Sequence, residues 1–175
     1  MVVSDFAHRL QIESVRDGSR IDLIADEAER AAVAERLGLL SLDRFEAHAA
    51  LSRDGKTVKA EGRVKASLAQ ACIASGDPVR AAIDEAYSLV FVPAPVVGAP
   101  EAELELGEHE LDTVFHDGLA IDLGEALADT LGLALNPYPR GPNAETALKE
   151  AGVMSEGEAG PFAILAQLKK GNAEE

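Results

Sequence analysis

Apolar and polar positions alternate with a period of two over long stretches of this chain. Phe45, Ala47, Ala49 and Leu51 are interleaved with Glu46, His48 and Ser52. Asp54-Gly55 offers a hairpin turn. Val58, Ala60, Gly62, Val64, Ala66 and Leu68 then fall on one face, with Lys59, Glu61, Arg63, Lys65 and Ser67 on the other. This pattern predicts an antiparallel hairpin with one buried and one wet side. After the turn signal Ser75-Gly76-Asp77-Pro78, a third strand is expected from Val79 to Val92, with Ile83, Tyr87, Leu89 and Phe91 facing one way. Residues 6–24 read as a weaker pair of strands. Phe6, His8, Leu10 and Ile12 alternate with polar neighbours, a turn follows at residues 16–19, and Ile21 and Leu23 resume the alternation.

The period changes at two places. Asp26 with Glu29 has capping-box spacing, and Val33 and Leu37 lie one turn apart before Gly38, which predicts a short helix. At Asp122 the period is again helical: Leu123, Leu127, Leu131 and Leu135 recur every fourth residue, with Asp122, Glu125 and Asp129 opposite. Asn136-Pro137 stops that helix. The expected architecture is α+β: a twisted antiparallel sheet of about five strands, its long central meander at 43–92, covered by two or three helices.

Two segments break the pattern. Residues 93–118 begin with a Pro/Gly-rich run and carry Glu101, Glu103, Glu105, Glu108, Glu110, Asp112 and Asp117 without a single Lys or Arg. This reads as a solvated acidic loop within a domain spanning 1–140, or as an arm that docks on a basic protein. Residues 141–175 read as a linker, 141–160, and then a short helix at 161–170. There Phe162, Leu165 and Leu168 share one side, and Lys169 and Lys170 sit where the helix dipole favours cations. These five residues are candidates for binding a partner.

Charge and candidate chemistry narrow the classes. The formal net charge of −15 opposes nucleic-acid binding, which draws affinity from cations displacing counterions, and favours cationic partners. Lys56, Lys59, Arg63 and Lys65 make one local basic patch, interrupted by Glu61, and are the candidate RNA or phosphate contacts. Cys72 is the single cysteine, so neither an internal disulfide nor a thiolate zinc site can form. His8, His48, His109 and His116 lack metal-site spacing. No Walker loop or dinucleotide turn is present, so no catalytic residue, cofactor, metal or small-molecule substrate is expected. A hydrolase built on Asp84 or Glu85 with a loop histidine is the enzymatic alternative. The first fifteen residues lack the apolar run of a signal peptide, and no stretch approaches the roughly 20 apolar residues that span a bilayer. A cytoplasmic location without a membrane partner is expected.

Three blocks in order resemble the YceD family of large ribosomal RNA subunit accumulation proteins. They are "KASLAQACIASGDPVRAAIDEAYSLVFVP", "IDLGEALADTLGLALNPYPR" and the tail "GPFAILAQLKK". Many members pair two cysteines in the first block. Here Cys72 is followed by Ser75, and a second cysteine group after the Pro-rich stop is absent. The resemblance implies a bacterial, non-enzymatic factor supporting 23S rRNA accumulation and large-subunit assembly. On the charge argument its partner is a basic ribosomal protein or pre-50S assembly component. The alternatives are direct rRNA binding through the hairpin face and an acidic interaction module unrelated to ribosomes.

Overall fold

The computed structural model describes residues 6–95 and 112–153. The chain divides into two compact units. One holds the described residues up to Gln70 and from Arg80 to Pro137; the other holds Ala71–Val79 and the described residues from Tyr138.

The first unit is built on an open five-stranded sheet. Strands β2 (Ser19–Ile24), β3 (Ser41–Asp54), β4 (Thr57–Ala71), β5 (Pro78–Pro93) and β6 (Thr113–His116) lie in chain order. The alternation read from the sequence sets which side is buried. Phe45, Ala49, Val58, Ala60 and Val64 are essentially inaccessible, and Tyr87, Leu89 and Phe91 complete the inner face on β5. The β3–β4 register runs from Asp54↔Thr57 to Ser41↔Ala69, shifted between Leu42 and Arg44.

Two helices cover the apolar face. Helix α1 (Glu27–Arg36) opens with the full capping box: Glu29 N–H donates to Asp26 Oδ1 at 2.9 Å and Asp26 N–H to Glu29 Oε2 at 2.8 Å. It buries Val33, and Leu37 packs at the edge of the same core. Helix α2 (Leu123–Ala134) contributes Leu123, Leu127 and Leu131, all fully buried. At roughly 1.5–3 kcal/mol per buried leucine, this stripe is a principal source of the unit's cohesion.

A second, two-stranded sheet fixes the start of α2. Strand β1 (Arg9–Gln11) pairs antiparallel with β7 (Ala120–Asp122) through Leu10↔Ile121. The Asp122 carboxylate accepts from both His8 N–H at 3.0 Å and Glu125 N–H at 3.1 Å, joining the β1 segment to the helix N-terminus. The backbone crosses so closely there that a Cβ on Gly124 would lie 2.0 Å from the Phe6 carbonyl oxygen. Only glycine permits that approach.

The fold is the expected α+β arrangement, with three differences. Residues 9–11 leave the main sheet to pair with β7, and a 3₁₀ turn at Ile12–Ser14 ends the strand early. The fifth strand of the main sheet is instead β6, inside the interval 93–118 read as loop. It pairs parallel to the end of β5, from Val90↔Thr113 to Pro93↔His116, so the sheet is mixed. Four residues beside an acidic run carry too little periodicity to announce a strand, and their pairing is long-range. The expected linker at 141–160 holds helix α3 (Ala144–Glu150), whose Ala, Glu, Leu and Lys are good helix formers.

In the second unit, residues 72–77 form a tight turn in which Cys72 N–H donates to the Asp77 carbonyl at 2.8 Å. Ile73 N–H donates to the Pro139 carbonyl at 2.9 Å, and Asn143 Nδ2 to Asp77 Oδ2 at 3.2 Å, holding the turn against the segment before α3.

Candidate functional site

The outer face of the main sheet carries the basic hairpin residues, because positions 59, 61, 63 and 65 of β4 alternate with the buried ones. The structure gives nearly all of these cations a carboxylate. Lys59 Nζ lies 2.7 Å from Glu61 Oε1, and this ammonium is the main reason the Glu61 carboxyl is held below its ordinary range. Arg63 Nε donates to Asp84 Oδ1 at 2.8 Å, and Lys65 Nζ is 3.9 Å from the other oxygen of Asp84. Glu46, the register partner of Lys65, is itself bonded to Arg44 Nε at 2.9 Å. Lys56 sits apart in the β3–β4 turn, where its carbonyl faces His116 Nε2 at 2.9 Å. Lys59, Arg63 and Lys65 thus lie together, but among Glu46, Glu61 and Asp84, which offset their charge.

The same face pairs His48 with Asp22. The two are register partners on β3 and β2, and His48 Nδ1 is hydrogen-bonded to Asp22 Oδ1. A shallow cleft of about 450 Å³ is lined by this pair, Ile24, Glu46, Arg63 and Lys65. No Ser, Thr or Cys side chain lines it. Sequence spacing could not have found this pair, since the partners are far apart in sequence and meet only through strand register.

Two described candidates of the enzymatic alternative are held by other partners. Asp84 is held by Arg63, and the one loop histidine described, His116, is buried with its ring bonded to backbone at both nitrogens. Gly118 N–H donates to His116 Nδ1 at 2.9 Å, so the bonding pattern assigns the hydrogen to Nε2, which donates to Lys56 O. Among the described residues no group of three or more His, Cys, Asp and Glu side chains could hold a metal ion. Cys72 is only 3% exposed, and its thiol is pulled down to about 6 by the Gly141 N–H, 3.4 Å from the sulfur, and by the Ser75 hydroxyl and neighbouring N–H groups. The tail candidates Phe162, Leu165, Leu168, Lys169 and Lys170 lie outside the described residues, as does His109.

The model of a family described as "Large ribosomal RNA subunit accumulation protein YceD" matches residues 60–169, more than half of the chain. The chain belongs to the YceD family. The match starts within β4 and ends inside the Lys169-Lys170 tail. It spans Gly124 and the leucine stripe of α2, while α1 and strands β1 to β3 precede it. The family description places the chain in large-subunit ribosomal RNA accumulation. No curated protein and no solved structure matches the chain. Among the described residues, no helix of this YceD protein is long and apolar enough to cross a membrane.

Proposed function

We propose that this YceD protein supports 23S rRNA accumulation by binding within large-subunit assembly, without catalysis. In this reading its partner is a basic ribosomal protein or another basic pre-50S component, not rRNA itself. The observation that carries the choice of partner is the pairing of the hairpin cations. With Lys59, Arg63 and Lys65 interleaved with Glu46, Glu61 and Asp84, the face offers phosphates little net positive field. Counterion release, the main source of RNA affinity, scales with the cations free to replace salt, and the rest of a chain at −15 repels RNA. The same charge attracts a Lys/Arg-rich protein and speeds its encounter. The factor works in the cytoplasm and needs no cofactor.

The experiment is a chromosomal deletion complemented by the wild-type chain, with 23S and 16S rRNA quantified and the protein followed across a ribosome gradient. The expected result is a reduced 23S:16S ratio on deletion, restored by complementation, with the protein on pre-50S fractions. A normal ratio with no association at low salt would instead make the chain an acidic interaction module unrelated to ribosomes. Ultraviolet crosslinking of Lys59 or Arg63 peptides to rRNA would favour direct rRNA binding.

A further inference from the structure

Two clefts run along the outer flank of α2. One, of about 660 Å³, is walled by β6, β7 and the early turns of α2; the other, of about 580 Å³, continues past the middle of β5 to the last turns of the helix. They share Val114, Ala126 and Asp129 and so form one groove. Val114 and Ala126 give it an apolar floor. Phe115 at 56% and Leu133 at 85% exposure leave one large apolar side chain at the surface towards each end. The rim is acidic, with Glu85, Asp112, Asp117, Asp122, Glu125 and Asp129 around this floor.

The cations available locally are already committed. Arg9, the one cation lining the groove, lies 3.0 Å from Asp117, and Arg36 reaches Asp129 at 3.3 Å. Glu85, Asp112 and Glu125 have no ion-pair partner among the described residues, and Glu125 is half-buried. A half-buried carboxylate without a counter-charge, set beside exposed carboxylates of the same sign, is stabilised by a ligand that brings cations. An apolar floor between acidic rims asks in addition for aliphatic side chains.

We infer that this groove seats an extended, Lys/Arg-rich segment of a partner protein, with aliphatic residues interspersed among its cations. Twelve helical residues span about 18 Å, the length of roughly five or six residues of extended chain. Phosphates are repelled by the rim, and the chain's own stretch of Glu101, Glu103, Glu105, Glu108 and Glu110 has the wrong sign to fill it. The inference rests on the reading that the partner is a basic protein, and it assigns that partner a surface distinct from the hairpin face.

The test titrates the full chain at low ionic strength against a fluorescent nonapeptide of three Arg-Leu-Lys repeats, followed by anisotropy. Glu125→Lys and Glu85→Lys are each expected to weaken binding about fivefold, the effect of one partly exposed charge pair, and Glu125→Gln to weaken it less. Glu61→Lys changes net charge equally but lies on the hairpin face; it should leave affinity within about twofold. Equal weakening by Glu61→Lys would reduce the attraction to bulk charge and overturn the site. Tighter peptide binding by a Phe162→Ser/Leu165→Ser chain, whose net charge is unchanged, would also overturn it, making the chain's own tail the occupant. Urea melts of each variant separate lost binding from lost folding. If the wild type associates with pre-50S particles and Glu85→Lys/Glu125→Lys associates equally well, the groove fails while the proposed function stands. If the wild type does not associate, the proposed function itself fails.

Discussion

Replacing Gly62 with alanine tests how the sheet is held together where β3, β4 and β5 meet. Gly62 faces the core from β4, opposite Ala49, and a Cβ there would lie 1.7 Å from the His48 carbonyl oxygen and 3.0 Å from the Tyr87 hydroxyl. That carbonyl accepts a 2.9 Å hydrogen bond from Tyr87, which is only 8% exposed. The methyl group must therefore move backbone by more than an ångström between two paired strands, and the tyrosine loses its acceptor. Overpacking alone costs about 1–3 kcal/mol, and stranding a buried hydrogen-bonding group adds about 1–3 kcal/mol. We expect Gly62→Ala to lose about 2–6 kcal/mol, a large share of an ordinary domain's stability. Urea unfolding read by circular dichroism measures it. Tyr87→Phe supplies the second corner of a double-mutant cycle. Alone it should cost about 1–2 kcal/mol, and in the Gly62→Ala background clearly less, because the bond is already broken. A Gly62→Ala chain within 1 kcal/mol of wild type, or strictly additive losses, would refute the account.

Burial raises the Tyr87 hydroxyl to about 12 from an ordinary value of 10.0. The neutral form is favoured in the fold, so this contribution is complete below pH 10 and is lost as pH rises through about 12; stability curves of wild type and Tyr87→Phe should converge across that window. Asp117 behaves oppositely. The N–H groups of Leu119 and Ala120 hold its carboxyl below its ordinary value of 3.8, so its contribution, present above that pH, is lost on further acidification, and Asp117→Asn should flatten that part of an acid-unfolding curve. Asp122→Ala removes the acceptor for both His8 and Glu125 N–H groups and should cost about 1–2 kcal/mol in urea melts, whereas Asp122→Asn should retain most of it. The Cys72 thiol should titrate near pH 6 by its ultraviolet thiolate absorption, and the same titration in unfolding urea should return it towards its ordinary value of 9.0.

The long strands were legible because each buries one side completely: a residue at 45, 47, 49 or 51 of the wrong polarity would be inside. The two helix starts were legible through Asp26 with Glu29 and Asp122 with Glu125, since capping is a local exchange of hydrogen bonds. Features made by distant partners were not. Nothing in the Thr113–His116 run states that it aligns with Val90–Pro93, nor does Arg9 declare its pairing with Asp122. Gly62 read as one more inward position in an alternating strand, and its reason for being glycine is a carbonyl fourteen residues earlier in the chain that the register brings against it. The candidate site follows the same division. The basic residues were visible as a patch, but the carboxylate of Asp84 that offsets two of them comes from the next strand.

That division bears on how an acidic protein could serve ribosome assembly. A net charge of −15 distributed evenly would only keep the chain soluble and repel RNA. Here the sheet's outer face gathers Arg44, Lys59, Arg63 and Lys65 beside Glu46, Glu61 and Asp84, and so stands near neutrality. The α2–β6 flank is rich in carboxylates, and its local cations Arg9 and Arg36 lie against Asp117 and Asp129. In the proposed reading, the first surface would tolerate a nearby phosphate backbone and the second would select a basic chain. A factor that must hold a cationic protein segment close to rRNA without competing for the RNA requires such a pair of surfaces. Charge reversal at Glu125 and charge reversal at Glu61 are therefore not equivalent, although they alter the net charge by the same amount.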